Sequence, residues 1–123
     1  MSDWNRHDLD AFISSEDVYI SPLRSDGVTH GTPTRLWAVV VGNALCVRPA
    51  SGPTSRWYIA AIKQGAGRIS VAGHTHNVTF HQASADVLDA IDSAYQASFD
   101  DTSSVTHMIG AGPRSASVRV TKV

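Results

Sequence analysis

One cysteine, Cys46, stands in a chain of 123 residues, and that scarcity excludes an internal disulfide and a thiolate metal cage. A basic excess is missing as well: Lys plus Arg total 10 against 11 for Asp plus Glu. The chain therefore lacks the positive charge by which counterion release holds proteins to nucleic acid, and neither DNA nor RNA is an expected partner. No apolar run approaches the roughly 18–20 residues of a membrane span. The opening Met-Ser-Asp-Trp-Asn-Arg carries no signal-peptide apolar region, so the expectation is a cytoplasmic protein with no membrane partner. A Gly-x-Ser-x-Gly elbow is absent too, and with it the sequence support for serine-centred catalysis. What is present is apolar material, 42% of residues against 17% charged, enough for one packed core in a chain of single-domain length.

Hydrophobic spacing orders that material. Asn5 is a candidate N-cap, with Asp8 three positions on and Leu9, Phe12 and Ile13 at helical spacing, which predicts a helix over 6–14. Val18-Tyr19-Ile20 predicts a strand over about 17–23, stopped by Pro22 and followed by a polar loop from Arg24 to Gly31. The unbroken Leu36-Trp37-Ala38-Val39-Val40-Val41 reads as a strand buried on both faces. Gly42-Asn43 then turns the chain into the return strand 44–48. Trp57, Tyr58, Ala61 and Ile62 predict a helix over about 55–64 that closes at Gly65. Ile69 and Val71, then Val78 and Phe80, alternate with polar residues around Gly73 as a second hairpin. Ser84 precedes the strongest helical stripe, Val87, Leu88, Ile91, Ala94, Tyr95 and Phe99, which predicts a helix over about 85–98. Asp100 to Arg114 reads as irregular, and Val118, Val120 and Val123 as a last strand. Six short strands with connections too short for parallel crossovers cannot form a doubly wound sheet. The expected fold is α+β, an antiparallel barrel with about three helices.

The candidate site is Val47 to Tyr58. A buried strand ends in Arg48, a loop of small hydroxyl residues follows, and Ser55 and Arg56 open a helix. Helix N-termini present unpaired N–H groups and partial positive charge, so two guanidinium groups with Ser and Thr hydroxyls make a candidate phosphate cradle. Lys63 lies two turns beyond Arg56 on the same face. The alternative is that these side chains are solvated and Ser55 or Thr54 only caps the helix. Trp57 beside the cradle is either core or a stacking surface for a flat ligand, whereas Trp37 reads as core. Cys46, between Leu45 and Val47, reads as an inert core thiol. His74 and His76 share one strand face and His81 the other, so no third ligand of matching parity completes a metal site, and none is expected. His107, beside Met108, is either a general acid or base over a pocket or a loop histidine.

The string Leu36 to Arg48, followed by Ser55-Arg56-Trp57-Tyr58 and Gly67-Arg68-Ile69, resembles the DUF2255 family of small bacterial proteins of unassigned function. The resemblance runs on through Asp86 to Tyr95 and Ala116-Ser117-Val118-Arg119-Val120. More distantly the chain is similar to flavin-binding split β-barrels, the pyridoxamine-phosphate oxidase-like and deazaflavin-dependent nitroreductase-like proteins. That similarity implies a split β-barrel, a homodimer with its pocket between protomers, and an oxidoreductase that uses FMN or a deazaflavin on a small organic molecule. Arg48, Ser55 and Arg56 match the residues that hold the cofactor phosphate there; Lys63 would assist them and Trp57 would flank the ring. After Tyr58 the chain departs from the deazaflavin proteins, reading Ile-Ala-Ala-Ile-Lys-Gln-Gly without their Asn-Leu and Asn-Pro elements. The rival expectation is a cofactor-free barrel that binds a small acidic or aromatic metabolite, or an acid/base isomerase or cyclase using His74, His76 or His107.

Overall fold

The Asn5 side chain accepts a hydrogen bond from the Asp8 N–H at 2.8 Å, and helix α1 (Arg6–Ser14) follows, burying Leu9 and Phe12. In the computed structural model, which describes residues 4–15 and 17–123, α1 precedes strands β1 (Val18–Pro22), β2 (Thr34–Arg35), β3 (Ala38–Val41) and β4 (Ala44–Val47). Helix α2 (Arg56–Gln64), strands β5 (Ala66–Val71) and β6 (His74–Gln82), and helix α3 (Leu88–Ser98) come next. Helices α4 (Thr102–Met108) and α5 (Ala111–Ser115) lead to the last strand, β7 (Val118–Lys122). Both hairpins are present, and Gly65 ends α2 in the left-handed region at φ 68°, which costs a glycine little.

All strand pairs are antiparallel, in the order β2-β1-β5-β6-β7-β4-β3. The two end strands, β2 and β3, are separated in the chain only by Leu36 and Trp37. Seven flat strands would hold their outer members roughly 29 Å apart at about 4.8 Å per step. The three steps from Arg35 to Ala38 span at most roughly 11 Å, so the sheet has to curl, and it forms a half-barrel.

Alternation along the strands sorts side chains to two cores. The concave face takes Val18, Ile20, Leu45, Val47, Ile69, Val71, Val78, Phe80, Val118 and Val120, closed at its ends by Trp4, Leu9 and Phe12 and by Tyr58 and Ala61 of α2. The convex face of β3 and β4 packs Val39 and Cys46 against Ile91 and Tyr95 of α3. The β3–β4 hairpin is thus covered on both sides, as its unbroken apolar run predicts.

Four expectations need correction. The sheet has seven strands rather than six, because Thr34–Arg35 pairs with β1; two exposed polar residues carry no periodic signal. The segment 85–98 is a 3-10 turn over Ala85–Val87 before α3, since the Ser84 hydroxyl donates to Asp86 at 2.5 Å and does not cap the helix. Within it Ile91 and Tyr95 are buried but Val87 and Leu88 only half-buried. The segment expected to be irregular holds α4 and α5, which raises the α-helix count from about three to five. Asp101 caps α4, accepting from the Ser104 N–H and hydroxyl, and Pro113 sits in the first turn of α5, where no N–H is needed. No helix among the described residues is long and apolar enough to cross a membrane.

Around α1, Lys122 Nζ donates to Asp8 at 2.9 Å, Trp4 Nε1 donates to the Val120 carbonyl at 2.8 Å, and His76 packs edge-on against Trp4 at 5.2 Å. The Lys122 hydrogen bond holds the Asp8 carboxyl below its ordinary 3.8, and burial holds the His76 imidazole below 6.5. Both folded-state values are depressed, so each group stabilises the fold above its unfolded pKa and loses that contribution as pH falls through its folded one. Unfolding free energy from urea titration should decline below the ordinary 6.5 of His76 and again below the ordinary 3.8 of Asp8. His76→Phe should remove the first decline and Asp8→Asn the second; stability that rose on acidification through the histidine window would contradict the His76 assignment, and a rise through the carboxylate window the Asp8 one.

Candidate functional site

Arg48, the residue after β4, is 1% exposed and carries a full charge. Its Nε donates to Ser117 Oγ at 2.8 Å, Nη1 to Asp92 at 2.5 Å and to the Met108 carbonyl at 3.2 Å, and Nη2 to the Leu88 carbonyl at 3.1 Å. Its guanidinium carbon also sits 5.6 Å from the centre of the Tyr95 ring. Four of the five N–H groups are held by the protein itself. Asp92 turns its other oxygen to Arg114 Nε at 3.2 Å, and Arg114 reaches on to Asp89. The expected phosphate ligand is in place but occupied: it joins β4 to α3, to the carboxyl end of α4 and to the start of β7.

The loop after Arg48 turns at Gly52, where a φ of 71° would strain any side chain and a Cβ would press on the Gly112 backbone at 3.2 Å. Beyond it Ser55 precedes α2 without making a side-chain capping bond, which leaves its hydroxyl and the first-turn N–H groups facing outward. Here a cleft of about 840 Å³ opens between this loop, β2 with its Leu36–Trp37 link, and α4. Arg48, Ser55, Arg56 and Trp57 all line it, as do Arg35, Trp37, Ser103 and His107. Lys63 does not. At 1.5 Å rise per residue, two turns carry it about 10 Å from Arg56, to the exposed far end of the helix.

The cleft has aromatic walls and a positive character. Trp37 stacks on Phe99 at 4.1 Å and 8°, and its carbonyl accepts from the Tyr95 hydroxyl at 2.8 Å. Trp57, half-buried, meets Tyr58 edge-on at 6.4 Å. Arg35 and Arg56, both exposed, line it, and among the described residues no Asp or Glu does. His107 Nε2 lies 2.6 Å from the Ala50 carbonyl and so donates to it, pinning α4 across the loop.

The remaining candidates lie elsewhere. His76 belongs to the α1 cluster, His74 is exposed at the start of β6, and His81 projects from the opposite face, 3.2 Å from Thr79 Oγ1. Among the described residues no three His, Cys, Asp or Glu side chains come close enough to hold a metal ion. Cys46 is buried between the sheet and α3, and desolvation pushes its thiol up to about 11. Sequence reasoning placed Trp37 in the core and passed over Arg35, Ser103 and Ser104. Trp37 was legible only as part of an apolar run, and the others belong to segments without periodicity.

Residues 8–120 match the model of a family described as uncharacterized proteins conserved in bacteria, DUF2255. The chain belongs to this family. No curated protein matches the chain significantly. The DUF2255 match covers β1 through β6, the first three residues of β7, and every residue that lines the cleft.

Arg48→Ala should lower stability by about 3–5 kcal/mol in urea unfolding, because it leaves Asp92 with Arg114 alone and takes the donor from Ser117 and from the Met108 and Leu88 carbonyls. Lys63→Ala should leave stability unchanged. Cys46 should stay inert to a disulfide reagent at neutral pH and react fully once the chain is unfolded; fast reaction of the native protein would place the thiol in a different environment.

Proposed function

We propose that this DUF2255 chain binds a planar aromatic ligand bearing an anionic group, and that the ligand is a flavin-type nucleotide, FMN or a deazaflavin. The observation that supports the reading is the cleft: Arg56 and the uncapped start of α2 line it together with Trp37 and Trp57, with no carboxylate among the described lining residues. Its volume of about 840 Å³ lies within the roughly 300–1,000 Å³ of small-molecule sites. Arg56, Ser55 and the first-turn N–H groups of α2 would hold the phosphate, with the two indoles flanking the ring. Arg48 takes a different part from the one the resemblance implies, anchoring the floor on which that loop rests. A bound flavin or deazaflavin supplies hydride chemistry, and the protein supplies orientation and a positive field toward a small organic substrate. The cofactor-free alternative keeps one observation in its favour: with Arg48 held internally, the phosphate would rest on fewer cations than the split-barrel pattern provides.

Tryptophan fluorescence quenching by FMN, a deazaflavin cofactor and phosphate-free riboflavin separates the readings. FMN or the deazaflavin should bind, and Arg56→Ala should weaken it roughly ten- to a hundredfold, the loss of one charge-assisted hydrogen bond. Riboflavin should respond far less to that change, and Lys63→Ala should alter nothing. Absence of binding by either nucleotide at high micromolar concentration would retire the flavin reading in favour of a small acidic or aromatic metabolite.

A further inference from the structure

A second cleft, of about 640 Å³, lies on the convex face of the sheet beside the turn that precedes α3, and it shares no lining residue with the first. Its floor follows from register. His81 of β6, Arg119 of β7 and Cys46 of β4 are successive cross-strand partners, so their side chains form one row. Thr79 pairs with Thr121 in the next row. The hydroxyls of Thr79 and Thr121 hydrogen-bond to each other and lie 3.2 and 3.3 Å from His81 Nε2. A threonine hydroxyl that donates to Nε2 places the ring proton on Nδ1, where no described residue accepts it. Helix α3 covers Cys46 and Val39 but stops short of this corner, which is left open beside Val41, Ala44 and Val87.

The corner carries an uncommitted cation. Arg6, Arg48, Arg114 and Lys122 each hold a carboxylate, whereas the Arg119 side chain, like those of Arg56, Lys63 and Arg68, has no hydrogen-bond or ion-pair partner among the described residues. Among the described residues no Asp or Glu lines the cleft. A guanidinium beside imidazole and hydroxyl donors matches one carboxylate, and the apolar wall beyond it matches a short alkyl chain.

We propose that this cleft is a binding site for a small aliphatic carboxylate, held by Arg119 with His81 and Thr121 as further polar contacts, and independent of the nucleotide cleft. The ligand class is set by the pairing of the Arg119 cation with the apolar wall of Val41, Ala44 and Val87. Inorganic phosphate would use the cation but leave that wall uncovered.

Amide nitrogen–proton correlation spectra of the full chain, titrated with butyrate, butyramide and inorganic phosphate, test it. Butyrate should give saturable shifts at the amides of residues 81, 119 and 121, and isosteric, uncharged butyramide should give none. Arg119→Gln should weaken butyrate at least about tenfold while the remaining spectrum stays in place, since the side chain is exposed. Thr121→Val should weaken it in the same direction. The proposal is overturned by an absence of saturable shifts, by an equal response to butyramide, by an unchanged affinity in Arg119→Gln, or by phosphate binding as tightly as butyrate. Shifts confined to Arg56 and Trp57 would move the carboxylate to the other cleft and overturn it as well.

Discussion

A guanidinium taken out of water determines how the second half of this chain is arranged. Removing such a charge from solvent costs several kcal/mol unless its hydrogen bonds are remade. Arg48 remakes them with four groups on three segments: Asp92 and the Leu88 carbonyl of α3, the Met108 carbonyl that ends α4, and Ser117 before β7. The Met108 contact also sets a cation at the negative end of a helix. None of these segments can shift without stranding part of the charge, so α3 is fixed over the convex core and α4 beside the larger cleft. The charge then disperses outward through Asp92 and Arg114 to the exposed Asp89.

Strand parity divides the rest of the molecule as cleanly. Along β6, His74, His76, Val78 and Phe80 share the concave face, while Thr79 and His81 share the convex one. The same alternation on β7 sends Val118 and Val120 inward and leaves Arg119 and Thr121 outside. One hairpin thereby serves a dry core and a polar corner at once. Cys46 shows the opposite outcome on β4: it also points outward, but α3 covers it, and the thiol is silenced by burial.

Much of this was legible in the sequence because periodicity is a local property. Asn5 with Asp8, the Gly42-Asn43 turn, the alternation around Gly73, and the closing Gly65 each identified their element from a few neighbouring residues. The unbroken run through Val39 to Val41 even announced burial on two faces. Helix α4 escaped because Thr-Ser-Ser-Val-Thr is a poor helix former with one capping aspartate and no stripe. Arg48 escaped in another way. Its residue type and its place before a hydroxyl-rich loop are those of a phosphate ligand, and only the tertiary approach of Asp92 and Ser117, 44 and 69 positions away, gives it a structural role. Lys63 was drawn toward the site by helical phase, which records direction around an axis but not distance along it.

The Leu36–Trp37 link joins the two ends of the curled sheet, and its indole also forms a wall of the larger cleft. A molecule resting on Trp37 therefore touches the segment that keeps the sheet's edges together, and it would bind the closed form more tightly than any form in which those edges had parted. By mass action such a ligand stabilises the closed sheet in proportion to the logarithm of its concentration. Occupancy of the cleft would then add to the stability of the curled sheet through Leu36 and Trp37.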